Sequence, residues 1–322
     1  MKFFPYDDPG IRFTGRWAKQ EHAMNATATG SRFRFCFSGD MAVLRFNTTF
    51  LQTPALHLYI QVDDGARTEC TLERYIRIRT APGQHTVQVI LKSMVEMFPR
   101  WHGPLTNRVS FEGVEAEALL ELPPETKRTI EFVGDSITEG VLIDADYTPT
   151  GKDQLDRPFQ DDVTATYAWL TAEKLGLEPL MMGYGAVGVT RGGCGGVPKA
   201  PDAYPYCFEG APVTYAHPDY VLINHGTNDS AASAEAYAAG YTALLDSIRA
   251  AHPQAKIFAM SVFCGTHEAD LEQLIPAYNA SRNDQVIFIN GSHWLPKEPI
   301  HPLRDGHRLA AEKLAQALEP WL

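Results

Sequence analysis

Residues 129–140 read TIEFVGDSITEG: a short apolar run with β-branched members, a Gly-Asp-Ser-Ile turn, then residues that can open a helix. That order predicts a buried strand delivering the hydroxyl of Ser136 at its carboxyl end, where open α/β sheets carry their chemistry. A Gly-Asp-Ser triplet alone is equally well explained by turn and helix-cap preferences. Its meaning therefore depends on what the other strand ends supply.

Downstream of Pro123 and Pro124, strand-like runs at 129–133, 180–182, 220–224, 257–263 and 286–290 alternate with helix-like runs at 164–175, 232–251, 271–283 and 306–318, with Gly176 stopping the first of these. Alternation of this kind predicts a parallel sheet with helices on both faces. Two long irregular segments, acidic 142–162 and Gly-, Pro- and Tyr-rich 192–218, follow predicted strands and are expected at the mouth of a site on the strand ends.

Upstream the signal has period two. Leu56, Leu58, Ile60 and Val62 alternate with His57, Tyr59 and Gln61 before an Asp64-Gly65 turn, and Val87, Val89 and Leu91 alternate with Gln88 and Lys92 after a turn expected at Pro82-Gly83. Such runs predict an antiparallel sandwich. We therefore divide the chain into an all-β unit, 1–122, and an α/β unit, 123–322.

The 322 residues carry 28 Lys plus Arg against 39 Asp plus Glu, a formal charge of -11, with no basic cluster to follow a phosphate backbone, so nucleic acid is not an expected partner. No apolar run approaches a membrane span, and the opening MKFFPYDDPG lacks a signal-peptide core, so a cytoplasmic location is expected if the sequence is complete. Cys36, Cys70, Cys194, Cys207 and Cys264 are scattered, without a C-x-x-C pair, and reduced thiols are expected.

Acyl transfer by serine needs a nucleophile, a base, and donors aimed where the carbonyl oxygen becomes an anion. Ser136 supplies the hydroxyl, and its own amide at a strand-to-helix turn is one donor. The second strand runs into the glycine-rich stretch 182–190, MGYGAVGVT, in which Gly188 is the expected second donor, although Gly183, Gly185, Gly192 and Gly193 crowd around it as turn glycines. The third strand ends in 221–229, VLINHGTND, where the Asn228 side chain is a third donor. Near the end, 298–302, EPIHP, offers His301 as base with the Glu298 carboxylate three residues earlier.

These four blocks, in this order, resemble those of the SGNH (GDSL-type) hydrolases, in which Ser, Gly, Asn and His are nucleophile, oxyanion donors and base. The resemblance implies a flavodoxin-like catalytic domain with those roles for Ser136, Gly188, Asn228 and His301. A sandwich opening with RFTGRW (12–17), then Gly-Val-Thr-Arg after the oxyanion glycine, looks like carbohydrate esterase family 2. That similarity implies an N-terminal jelly roll and removal of acetyl groups from saccharides. Where the family has Asp three residues before the histidine, this chain has Glu298. The resemblance therefore leaves two ways of orienting His301, by Glu298 or by a backbone carbonyl.

Other residues have plainer readings. His225 should pack beneath the site, and His307, after Asp305-Gly306, should lie at the surface or cap a helix. Asp135 should hold its turn. Tyr204, Tyr206, Tyr215 and Trp294 either stack on sugar rings or pin their loops, and 144–162 reads as a solvated acidic face. The expected protein is a serine esterase for acetylated saccharides or other small esters, requiring no cofactor or metal. Its rivals are a lysophospholipase or thioesterase on the same fold, and a carbohydrate-binding protein with an idle site. Oligomeric state is not legible.

Overall fold

The computed structural model describes residues 1–145, 157–214 and 217–322. Residues 146–156 of the acidic loop, and Tyr215, lie outside them.

Among the described residues an antiparallel sheet of ten strands comes first: β1 Lys2–Pro5, β2 Ile11–Thr14, β3 Ala18–Gln20, β4 Ala23–Ala26, β5 Arg32–Phe46, β6 His57–Val62, β7 Thr68–Thr71, β8 Tyr75–Ser93, β9 Val109–Ala116 and β10 Ala118–Leu120. Its spine runs β3-β4-β9-β5-β8-β6-β7, curled in the manner of a jelly roll. Strand β5 shows why it curls around a core. In RFRFCF (32–37), Phe33, Phe35 and Phe37 are fully buried while Arg34 and Cys36 are only partly so, the period-two pattern of a sheet with one dry face. The phenylalanines meet Phe46, Leu58, Val89 and Phe111 in one cluster, with the Phe33 and Phe111 ring centroids 4.1 Å apart.

The turn expected at Pro82-Gly83 is not a turn. Strand β8 runs through it, with Gly83 opposite Gly39 and a register shift between Gly39 and Met41. A proline lacks the N–H that a ladder needs, and a bulge is a place where that lack is tolerated.

The second sheet is parallel, in the order β12-β11-β15-β16-β17, built from β11 Thr129–Gly134, β12 Glu178–Gly183, β15 Tyr220–Asn224, β16 Lys256–Met260 and β17 Ile287–Ile289. A hairpin of β13 Tyr206–Phe208 and β14 Ala211–Pro212 stands apart from it. The helices are α1 Ser136–Glu139, α2 Tyr167–Lys174, α3 Ala200–Ala203, α4 Ala234–Ala251, α5 Glu268–Arg282 and α6 Arg304–Leu318. Side chains alternate between two cores. Ile130, Phe132, Leu222, Phe258 and Met260 face one side with α2 and α6, whereas Val133, Val221, Ile223, Ile257 and Ala259 face the other with α4 and α5. The chain leaves β11 for β12 on one side and β15 for β16 on the other, so the connections diverge between β11 and β15, the switch point where such sheets bind ligands.

The two sheets share a core and several ion pairs. Ile90 of β8 packs with Phe132 and Trp169, and Arg16, at 1% exposure, reaches Glu131 of β11, at 0%, with 3.2 Å between Nη2 and Oε1. Arg32 of β5 holds Glu178 at the start of β12. All five cysteines are free thiols. No helix among the described residues is long and apolar enough to cross a membrane.

Candidate active site

Strand β11 ends at Gly134, level with Gly183 of β12 and Asn224 of β15. Asp135 caps the next turn, its Oδ1 accepting from the N–H of Ile137 at 3.0 Å, and α1 runs only from Ser136 to Glu139 before Gly140 breaks it at φ 95°. A Cβ on Gly134 would collide with the Thr138 side chain, and one on Gly183 with the backbone of Glu139. Those two glycines let the Gly-Asp-Ser turn settle directly onto the strand ends.

His301 arrives from the far end of the chain, on the segment between β17 and α6. Its Nε2 lies 2.9 Å from Ser136 Oγ, a hydrogen bond across 165 positions of sequence. Burial holds the imidazole below its ordinary pKa; the Glu96 carboxylate opposes this and the Arg157 guanidinium adds to it. A lowered pKa keeps the ring neutral near pH 7, the state in which an imidazole can accept a proton.

Asn228 sits in a single helical turn after β15, and its Nδ2 is 3.1 Å from the carbonyl of Val187 and 3.3 Å from Asp135 Oδ2. The glycine-rich loop is fastened by Asp229, which accepts from the N–H groups of Val189 (3.1 Å) and Thr190 (2.8 Å) and from the Thr190 hydroxyl (2.5 Å). Gly188 lies against the same carboxylate: a Cβ there would stand 2.5 Å from Asp229 Oδ1. The Gly188 N–H donates to the carbonyl of Arg191 at 3.0 Å. Ser136 N–H, at the first helical position, is among the donors a helix leaves without an internal acceptor.

The sequence profile of the GDSL-like lipase/acylhydrolase family matches residues 132–309. The chain belongs to this family. One relative, the cellulase/esterase CelE of Acetivibrio thermocellus, is 29% identical over 226 residues, covering 62% of the chain and 26% of the relative. The chain therefore spans about a quarter of that relative's length. Among solved structures, a family two carbohydrate esterase from Cellvibrio japonicus superposes with a TM-score of 0.82 at 20% identity, covering 99% of this chain and 97% of the other. A family two carbohydrate esterase from Clostridium thermocellum, in complex with cellohexaose, gives 0.78 at 22%, covering 97% and 98%. The acetyl xylan esterase Est2A from Butyrivibrio proteoclasticus gives 0.78 at 17%, covering 99% and 98%. The shared fold thus takes in both sheets.

Glu298 stands exposed, and among the described residues no hydrogen bond or ion pair joins it to His301. Tyr204 offers no face to a sugar, which corrects that reading. It is 2% exposed, its hydroxyl donates to Glu131 Oε2 at 2.6 Å, and the Arg16 guanidinium lies over its ring. Tyr206 is 39% exposed on β13, and Trp294 is half-buried beside Phe263. His307 is buried rather than at the surface. Its Nδ1 accepts from the N–H of Tyr167, so it does cap a helix, but α2 rather than its own, and burial drives its pKa down to about 3. His225 is buried beneath the site, with its pKa pushed down to about 4 by burial. Sequence reading missed Asp229 as the fastener of the glycine-rich loop. An acid closing the Gly-Thr-Asn-Asp turn was the available signal.

Proposed function

We propose that the protein is a serine esterase that removes acetyl groups from hydroxyls of saccharides. The observation that carries this reading is the 2.9 Å contact between Ser136 Oγ and His301 Nε2 at the switch point of the parallel sheet. His301 takes the proton as Ser136 Oγ bonds to the acetyl carbonyl carbon. The oxygen that becomes an anion meets the Ser136 N–H, the Asn228 side chain and the Gly188 N–H. The long 3.3 Å contact from Asn228 to Asp135 is the one a charged oxygen displaces most readily. When the tetrahedral species collapses, the sugar oxygen departs with the proton held by His301. Water, activated by the same ring, then releases acetate and restores Ser136.

A saccharide ester as substrate is supported by the company the fold keeps, a cellulase/esterase, an acetyl xylan esterase and an esterase bound to cellohexaose. The scheme calls for no cofactor. The test is acetate release from acetylated xylo- and gluco-oligosaccharides, followed by mass spectrometry for wild type and Ser136→Ala. Wild-type release that vanishes in the variant supports the reading. Release that persists in the variant refutes it.

A further inference from the structure

Behind the Ser136–His301 pair lies a buried ion pair that takes no part in the proton transfer. Arg100 belongs to the segment between β8 and β9, in the N-terminal part of the chain, and its side chain is 0% exposed. Nη1 donates to Glu139 Oε1, and Nη2 donates to Oε2 at 3.0 Å, a two-pronged fork. Glu139 is the last residue of α1, one turn beyond Ser136.

The same carboxylate reaches further. Its Oε2 accepts from the N–H of Gly185 at 2.6 Å, at the start of the loop that carries Gly188, while the Glu139 carbonyl accepts from Thr29 Oγ1 at 3.0 Å. The backbone N–H of Arg100 donates to the carbonyl of Gly195 at 3.0 Å, beyond that loop. One acid therefore touches three segments that hydrolysis needs in register: the nucleophile turn, the oxyanion loop and the N-terminal sheet.

A buried ion pair is a poor device for stability alone, because well-packed apolar residues of similar volume hold two surfaces together as well or better. A bidentate fork fixes angle as well as distance. We propose that Glu139 is a positioning residue for ester hydrolysis, set in place by Arg100, so that Ser136 and the oxyanion loop are aligned through the N-terminal sheet. This rests on the serine-esterase reading of the site. A displacement of about 1 Å between reacting groups is enough to cost on the order of 100-fold in rate, so the alignment is measurable.

The experiment compares wild type, Arg100→Lys, the double variant Arg100→Met/Glu139→Gln, and Ser136→Ala, all in the full chain. Tm, kcat and KM are measured with an aryl acetate. The double variant removes both charges and leaves neither one stranded, so it should melt within a few degrees of wild type. Its kcat should nevertheless be lower by roughly 10- to 100-fold, with KM within about threefold. Recovery of wild-type kcat together with Tm would mean that the pair only holds the parts together, and the proposal falls. If the double variant does not fold, Arg100→Lys decides, because it keeps the charge and loses the fork. A folded Arg100→Lys with wild-type kcat also overturns the proposal. Persistent hydrolysis by Ser136→Ala would bring down the esterase reading and this inference with it, whereas full kcat in the double variant alongside a dead Ser136→Ala removes the inference alone.

Discussion

Replacing Glu298 by Ala should be nearly silent, and replacing His301 by Ala should not. The structure separates the two residues clearly: His301 Nε2 is 2.9 Å from Ser136 Oγ, whereas Glu298 is exposed and has no bond to the imidazole among the described residues. An exposed carboxylate couples to a neighbouring charge by at most about 1 kcal/mol in water and salt, which is about fivefold in rate. Loss of a general base typically costs on the order of 100- to 10,000-fold. Steady-state hydrolysis of an aryl acetate at pH 7.5, about one unit above the ordinary imidazole pKa, reads both effects directly. We expect Glu298→Ala within about fivefold of wild type in kcat/KM and His301→Ala at least 100-fold down. Equal and severe losses would make Glu298 the third member of a triad. The static arrangement around His301 would then be the wrong basis for the argument.

The acid limb of the kcat/KM profile should have its midpoint below the usual imidazole pKa, because burial disfavours the charged ring of His301. Glu96→Gln should move that limb to lower pH and Arg157→Gln to higher pH, since the first removes a charge that favours imidazolium and the second one that opposes it. Asp161, pushed up to about 7 by burial, feels Glu96 and Arg157 in the same directions, so the paired shifts belong to His301 only if they persist in an Asp161→Asn background; no shift in either variant, or shifts that vanish with Asp161, refute the assignment. Gly188→Ala should abolish most activity, because its Cβ would press to 2.5 Å from the Asp229 carboxylate that fastens the loop, and an Ala variant with wild-type kcat would show that the loop tolerates the displacement. Efficiency should fall steeply for acyl chains beyond about four carbons, and equal or rising kcat/KM toward octanoyl esters would favour a lipid-like substrate.

Much of this arrangement is legible in the chain because its signals are local. The apolar run ending in Gly-Asp-Ser, the alternation of strand and helix after Pro124, and the four blocks at strand ends each announce themselves within about a dozen residues. What stays hidden depends on partners far apart. Glu131 stands in the middle of a buried strand and Glu139 just after Ser136, and nothing near either names Arg16 or Arg100, which meet them across 115 and 39 positions. Pro82-Gly83 reads as a turn only until Gly39 is seen opposite it, forming a bulge. Tyr204 lies in a loop-rich, aromatic stretch, yet its burial is decided by Arg16 and Glu131 beneath it. His307 is likewise placed by the N–H of Tyr167, 140 residues earlier.

The central claim is that Ser136 carries the acyl group. Rapid quenching of the protein with a saturating aryl acetate, then peptide mass mapping, tests it most directly. One acetyl group on the peptide containing Ser136, formed and lost at rates that account for turnover and absent in Ser136→Ala, is the predicted result. Turnover without acetylation at Ser136, or acetylation that maps elsewhere while Ser136→Ala remains active, would contradict it.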